Sequence, residues 1–391
     1  MKKHFYYFYD LNEVLIDRYP SKIASQIRMH DPNSNFIFIY SENYTNGHPL
    51  QIPPDSKFFY IPSLSKKKLN EIIDKYPPKS LTTIALRIPD MWLLTFFNHK
   101  NVPTQIIQHG LWSDRLERIP LVPLLLGKFS KFINYLKYTK EICKINSIPL
   151  IPTLKELFHF LLKEDITISE TKYLNNNMIK AQTVFAFDSS WDNYYTKKYA
   201  YKLNQLIYIG NPDLLLLKEK NIKDKENSIC YLCQSLVEDG RLSKHIYNSF
   251  LKVLKSQVAS EKKLYIKLHP RSKMAIYQEL KNCKNIVFTN ELPICTHYIA
   301  HYTGLLATVK HITDNILIWL LPNHHTPEYF KNFGSVVTNS IDDLVLFVKS
   351  QECSEMNLNS SSFQKLTQHD LDKFNPIKKI SKNIISLSND K

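Results

Sequence analysis

The sequence predicts an α/β protein built from two Rossmann-like domains, and three observations carry that prediction. Short apolar runs, rich in aromatic and β-branched residues, recur along most of the chain. Segments of helical period separate many of them, and strands that alternate with helices imply mostly parallel sheets covered on both faces. The length, 391 residues with 43% hydrophobic, exceeds what one core ordinarily fills and suffices for two.

In the first half, strands are predicted at 5–9, 36–40, 58–61, 82–86 and 105–107, with helical patterns at 19–28 and 66–75. The fifth run ends in the polar turn Gln108-His109-Gly110-Leu111-Trp112-Ser113-Asp114-Arg115. His109 is there either a satisfied turn residue or a cleft residue able to meet donor or acceptor. Residues 118–163 depart from the rhythm. Pro120 and Pro123 bracket an apolar patch, and Lys128, Lys131, Lys137 and Lys140 then interleave with Phe129, Phe132, Ile133, Tyr135, Leu136 and Tyr138. Such basic amphipathic helices lie on anionic bilayers, or pack on their own domain with the lysines in water. The run 184–187 reads as the last strand of the first domain, and 206–209 leads into Gly210-Asn211-Pro212. The domain boundary is placed near residue 205, giving domains 1–205 and 206–391.

The second half is organised around residues 228–271. A buried-strand run, Ile229-Cys230-Tyr231-Leu232-Cys233, is followed by Gln234-Ser235-Leu236-Val237 and the acidic turn Glu238-Asp239-Gly240. A helix-period segment comes next, and a second strand at 264–268 runs into His269-Pro270-Arg271. Strand–helix–strand units join parallel strands by a right-handed crossover, and open α/β sheets bind ligands outside the carboxyl ends of their strands. Acidic pair and histidine therefore share one rim. A carboxylate near a histidine suits acid–base chemistry, and Lys267 and Arg271 beside the histidine suit phosphate. Strands at 285–289 and 296–300 follow, the latter ending in His301-Tyr302-Thr303-Gly304. With a helix expected from Leu305, the Thr303 hydroxyl and the Gly304 amide form an anion site. A strand at 316–320, a helix start at Thr326-Pro327-Glu328-Tyr329-Phe330, and a last strand at 336–337 complete the pattern. Residues 352–362 form a polar tail before a final helical segment.

Composition narrows the partners. The formal charge of +15 favours anionic lipid, nucleic acid or phosphorylated substrates, and no nucleic-acid-binding module is recognisable. Six scattered cysteines fit a reducing compartment, and the Cys230/Cys233 pair lies inside an apolar strand. No apolar run approaches the ~18 residues of a spanning helix. Met1-Lys2-Lys3-His4-Phe5 lacks the apolar core of a signal peptide. The expected location is the cytoplasm. Only seven glycines occur where average usage gives about 27, so the survivors mark positions that need positive φ or close ligand approach.

Three motifs, each after a strand and in this order, carry a resemblance. Gln234-Ser235-Leu236-Val237-Glu238-Asp239-Gly240 resembles the acidic D/E-D/E-G motif of bacterial sialyltransferases. Lys267-Leu268-His269-Pro270-Arg271 resembles their HP motif, and Tyr302-Thr303-Gly304 stands where they carry a hydroxyl-bearing turn. The second half, roughly 205–340, thus looks like glycosyltransferase family 52, the lipooligosaccharide sialyltransferases, and more distantly like the bacterial polysialyltransferases. The resemblance implies a GT-B-type fold, two Rossmann-like domains facing a central cleft, with an acceptor side at 1–205 and a CMP-sugar side at 206–391. It implies transfer of sialic acid, or a related nonulosonic acid, from a CMP-activated donor to lipooligosaccharide or capsule, inverting and without metal. No Asp-x-Asp stands beside a strand to hold one.

Under that resemblance Asp239 is the general base, Glu238 its catalytic neighbour, and His269 the general acid or a phosphate-binding group. If the chain follows the polysialyltransferase plan instead, His109 is the base. Gln234, Ser235, Gly240, Lys267, Pro270, Arg271, Thr303, Gly304 and Glu328 are the donor-binding set. The donor is a substrate, so no cofactor is expected. The expected partners are a CMP-activated nonulosonic acid and a glycan acceptor, with no nucleic acid. Peripheral association with the cytoplasmic face of the inner membrane through 118–163, and a homodimer, are both compatible with this reading. Two alternatives stay open. One is another GT-B transferase of capsule or teichoic-acid assembly with a Kdo, pseudaminic acid or polyol-phosphate donor. The other is a non-catalytic GT-B-like glycan-binding export protein.

Overall fold

The computed structural model describes the chain except for residues 1–3, 12–15, 17–18, 43–51, 63, 109–128, 163–167, 219–225, 239, 270, 323–325, 327, 351–374 and 390–391. The described chain divides into two compact units, each a wholly parallel sheet flanked by helices.

The first unit holds seven strands: β1 (Phe5–Asp10), β2 (Asn35–Tyr40), β3 (Lys57–Tyr60), β4 (Pro78–Thr83), β5 (Thr104–Ile107), β6 (Thr183–Ala186) and β7 (Leu206–Tyr208). Their order is β3-β2-β1-β4-β5-β6-β7. β1 is buried on both faces along its whole length, which is why it reads as an uninterrupted aromatic run and shows no alternation. Helix α1 (Pro20–His30) starts on a proline, whose missing N–H costs nothing at a first turn, and buries Ile23, Ala24 and Ile27. Helix α2 (Lys66–Lys75) buries Leu69, Ile72 and Ile73. Helix α3 (Ile88–Asn98) is buried throughout. Arg87 anchors its N-terminus. Its guanidinium holds Asp90 through Nε (2.6 Å) and Nη2 (3.0 Å), and reaches Asp10 at the end of β1 (3.0 Å). Helices α4 (Phe129–Asn146) and α5 (Leu150–Leu162) follow.

Two features correct the domain reading. The run at 206–208 is the seventh strand of the first sheet, paired Val184↔Leu206 through Ala186↔Tyr208. The units divide after Pro212. The chain also returns: helix α9, the last (Pro376–Asn389), belongs to the first unit, where it packs on α1. It buries Ile377, Ile380 and Ile384, and the Ser381 hydroxyl donates to the Ile23 carbonyl at 3.2 Å. A contact between residues more than 350 positions apart leaves no local trace in sequence.

The second unit holds β8 (Glu226–Leu232), β9 (Leu264–Lys267), β10 (Ile286–Thr289), β11 (Cys295–Ala300), β12 (Ile316–Trp319) and β13 (Val336–Thr338), in the order β10-β9-β8-β11-β12-β13. Helix α6 (Lys244–Val253) joins β8 to β9, α7 (Leu305–Val309) follows β11, and α8 (Ile341–Lys349) follows β13. The Ser243 hydroxyl caps α6 by accepting from Ile246 N–H, and Tyr247, Phe250 and Leu251 form its buried stripe. Sequence neighbours run outward from β8 to β10 on one side and from β11 to β13 on the other. The order therefore reverses between β8 and β11, and the crevice at their carboxyl ends is the topological switch point where such sheets take ligands.

Candidate functional site

A cavity of about 230 Å³ opens at that switch point, lined by residues of three strand exits. The exit of β8 contributes Gln234, Ser235 and Leu236, and the turn beyond it Arg241. The exit of β9 contributes His269 and Arg271. The exit of β11 contributes Tyr302, Thr303 and Gly304, and Phe330 closes a wall. Three segments separated by up to ~70 residues thus meet, as the crossover rule requires. The Gln234 carboxamide oxygen accepts from the Tyr302 N–H at 3.1 Å and ties the two switch-point strands together.

The acidic turn is closed by Gly240 N–H donating to the Val237 carbonyl (3.0 Å) and Arg241 N–H to Leu236 (2.8 Å). Gly240 has φ +72°, yet a Cβ there would meet nothing within 4 Å. The glycine serves the left-handed backbone and not close packing. That turn points the chain back and delivers Arg241 to the cavity. Glu238 does not line the cavity. Its Oε1 accepts the Lys273 N–H at 3.0 Å, and its Oε2 is buried with no hydrogen-bond partner among the described residues. The carboxylate thus links the acidic turn to the turn after β9.

The turn after β9 is built tightly. The His269 N–H donates to Ser272 Oγ (3.1 Å), the Ser272 N–H to the His269 carbonyl (2.8 Å), and the Arg271 N–H to His269 Nδ1 (3.1 Å). Lys267, expected on the phosphate, is not among the cavity-lining residues, and its ammonium donates to the Leu268 carbonyl at 2.7 Å. Beneath the turn runs a buried chain of hydroxyls. Ser272 Oγ meets Tyr277 (3.4 Å), Tyr277 meets Tyr247 (3.3 Å), Tyr247 meets Tyr231 (2.9 Å), and Tyr231 meets His301 Nε2 (2.9 Å). His301 Nδ1 lies 2.8 Å from the Trp319 carbonyl, which can only accept, so Nδ1 carries the proton and Nε2 accepts from Tyr231. The direction of every link follows from that end. Burial pushes the Tyr231, Tyr247 and Tyr277 hydroxyls far above their ordinary range, so all three stay protonated donors.

The Thr303-Gly304 turn differs from expectation. Gly304 has φ −57°, an ordinary helical value, and α7 is only five residues long. What remains at the cavity is the Thr303 hydroxyl, which accepts weakly from Leu305 N–H (3.4 Å), beside the Gly304 backbone. Tyr302 and Phe330 stand together, with ring centroids 5.9 Å apart at 56°. Asp239, His109 and Pro270 lie outside the described residues, as does the side chain of Glu328. Arg241, Tyr302 and Phe330 also line the cavity and were not among the expected site residues. A basic residue directly after a turn-closing glycine was the available signal for the first.

Cys230 and Cys233 are both core residues, and burial pushes the Cys233 thiol up to about 12, so it is a protonated packing group at neutral pH. In the 118–163 stretch, Tyr138, Ile142 and Cys143 of α4 are buried as that helix packs on α3, with Tyr138 against Trp92 (6.1 Å). Lys137 and Lys140 on the same helix are exposed, and residues 118–128 lie outside the described residues. No helix among the described residues is long and apolar enough to cross a membrane.

No protein-family model matches the chain. No curated protein matches it in sequence. Solved structures do match in fold. Wall teichoic acid polymerase TagF, in a structure soaked with CDPG, aligns with TM-score 0.53 and 10% identity over 100% of this chain and 90% of its own. The UDP-GlcNAc 2-epimerase of Neisseria meningitidis, bound to UDP-GlcNAc, aligns with TM-score 0.50 and 12% identity over 98% of this chain and 100% of its own. The glycotransferase of kitacinnamycin aligns with TM-score 0.50 and 8% identity over 100% and 98%. The chain has the GT-B architecture, two parallel-sheet Rossmann-like domains.

Proposed function

We propose that the chain is a glycosyltransferase that moves sialic acid, or a related nonulosonic acid, from a CMP-activated donor to a bacterial surface glycan. One observation carries the reading most: two arginines, a histidine, a threonine hydroxyl and an aromatic pair meet in one cavity at the second unit's switch point. A CMP-nonulosonate carries two anionic groups, a phosphate diester and a carboxylate. Arg241 and Arg271 supply two planar cations suited to such oxygens. Tyr302 and Phe330, both nearly fully buried, give the cavity an apolar wall beside these cations. At about 230 Å³ the cavity is smaller than the ~300–1,000 Å³ of pockets that enclose a whole drug-sized ligand. It holds the nucleotide portion and leaves the sugar outside, open to attack.

In the reaction, the bond between anomeric carbon and phosphate oxygen breaks, and its electron pair stays on CMP. Preorganised cations stabilise that charge as it develops. The acceptor hydroxyl attacks the anomeric carbon and gives its proton to a general base, for which Asp239 is the proposed residue and His109 the competitor. Donor-hydrolysis assays across CMP-Neu5Ac, UDP-GlcNAc and CDP-glycerol test the reading. CMP release only from the first is the expected result. Turnover of CDP-glycerol alone would move the chain to polyol-phosphate transfer, and binding without any turnover would make it a glycan-binding partner. Asp239→Asn should lower turnover about 10²–10⁴-fold, the usual worth of a general base. Near-normal turnover in that variant, with His109→Ala inactive, would place the base in the first unit.

A further inference from the structure

We propose that His269 serves the donor phosphate as a neutral hydrogen-bond donor through Nε2–H and not as an acid, its tautomer being set by the turn it opens. The inference rests on the donor reading above and adds the protonation state in which this histidine works.

The Arg271 backbone N–H points at His269 Nδ1 from 3.1 Å. A backbone amide can only donate, so Nδ1 is the acceptor and the single ring proton sits on Nε2. An imidazolium would carry a second hydrogen on Nδ1 and set it against the amide hydrogen across the same 3.1 Å. The amide cannot easily turn away. Its turn is closed on one side by the pair His269 N–H to Ser272 Oγ and Ser272 N–H to His269 carbonyl. On the other side Glu238 Oε1 holds the next amide, Lys273 N–H, at 3.0 Å. Ser272 is in turn fixed from below by Tyr277. Charge supply points the same way, since Arg241 and Arg271 already bring two cations to the cavity that His269 lines.

The chemistry balances without a proton from His269. The departing phosphate leaves with the electron pair of the broken C–O bond and gains one negative charge. The proton released by the acceptor hydroxyl goes to the general base. His269 keeps its Nε2 proton and shortens its hydrogen bond to the phosphate as charge grows there.

The test is ring-nitrogen NMR of the ¹⁵N-histidine-labelled full chain, with the His269 signals identified by their loss in His269→Gln. The expected pattern, free and with CMP, is protonated Nε2 and unprotonated Nδ1. A fully protonated ring in the CMP complex would overturn the proposal. Two variants give an independent readout. His269→Gln keeps an N–H donor, and its CMP affinity and turnover should stay within about tenfold of wild type. His269→Phe keeps the ring shape without a donor and should lose about 10–100-fold in CMP affinity, the worth of a hydrogen bond to a charged group. Glutamine as damaging to turnover as phenylalanine, with CMP affinity retained, would restore the acid role and sink this one. If CMP fails to bind wild type while the Nε2–H pattern is present in the free chain, the CMP reading is what fails and the tautomer assignment stands.

Discussion

At the scale of single residues, neighbours that look alike in sequence do separate work. Glu238 holds an amide, and Arg241 faces the cavity two residues beyond the turn's remaining carboxyl. Arg241→Ala should weaken CMP binding about 10-fold or more, as expected for a lost charge-assisted hydrogen bond, and isothermal titration reads it directly. Unchanged affinity would remove Arg241 from the donor site. Gly240→Ala has free space for its methyl group, so any cost is backbone strain, about 1–2 kcal/mol for a left-handed residue, measurable as a lower melting temperature. These residues also show what was legible beforehand. Gln234, Ser235, His269, Arg271, Thr303 and Gly304 line the cavity because each lies just past the carboxyl end of a strand, a position legible in the sequence, and the switch-point geometry of a parallel sheet gathers them. Phe330 carries no such mark in the sequence, because it comes from a short helix and reaches the cavity by packing against Tyr302. Lys267 donates to the Leu268 carbonyl, because a strand-end side chain can turn to its own backbone as easily as to a ligand.

At the scale of elements, the strands were almost all visible, since short runs buried on both faces must be apolar and are bounded by polar turns. β4 was placed late because it begins Pro78-Lys79-Ser80, which reads as a turn, although proline is tolerated at the first residue of a strand. The buried hydroxyl chain was invisible, because tyrosines on β8, on α6 and on the turn before β10 look like ordinary core residues. Tyr231→Phe should cost about 1–3 kcal/mol, since it strips the donor from a buried His301 Nε2. Denaturant titration of the variant measures it, and a cost near zero would mean that the chain adds nothing to the fold. A second element test uses pH. Glu226, at the start of β8, accepts from Lys263 (2.8 Å) and Tyr265, which hold its carboxyl below the usual range. A depressed carboxylate stabilises the fold above its unfolded pKa and loses that contribution as pH falls through the folded value. Glu226→Gln should therefore lower the melting temperature only slightly at pH 7, because solvent screens so exposed a pair. The difference should shrink as pH falls below the usual carboxylate range and vanish only once pH is below the depressed value that Glu226 has in the fold.

At the scale of the whole molecule, two sheets of similar plan share one chain, and the chain's last helix returns to the first of them. That return decides what a truncation does. Deleting 376–389 uncovers the α1 face against which Ile377, Ile380 and Ile384 pack, at an upper estimate of about 1.5–3 kcal/mol per buried side chain. The melting temperature should fall, which differential scanning calorimetry measures, and an unchanged value would mean that the returning helix adds nothing to the fold. The central claim, that the donor nucleotide binds at the carboxyl ends of β8, β9 and β11, is tested most directly by hydrogen–deuterium exchange of the full chain with and without saturating CMP. Slowed exchange is expected at the turns carrying Gln234–Arg241, His269–Lys273 and Tyr302–Gly304, with the first unit's strand ends unchanged. Protection confined to the strand ends of the first unit would contradict it.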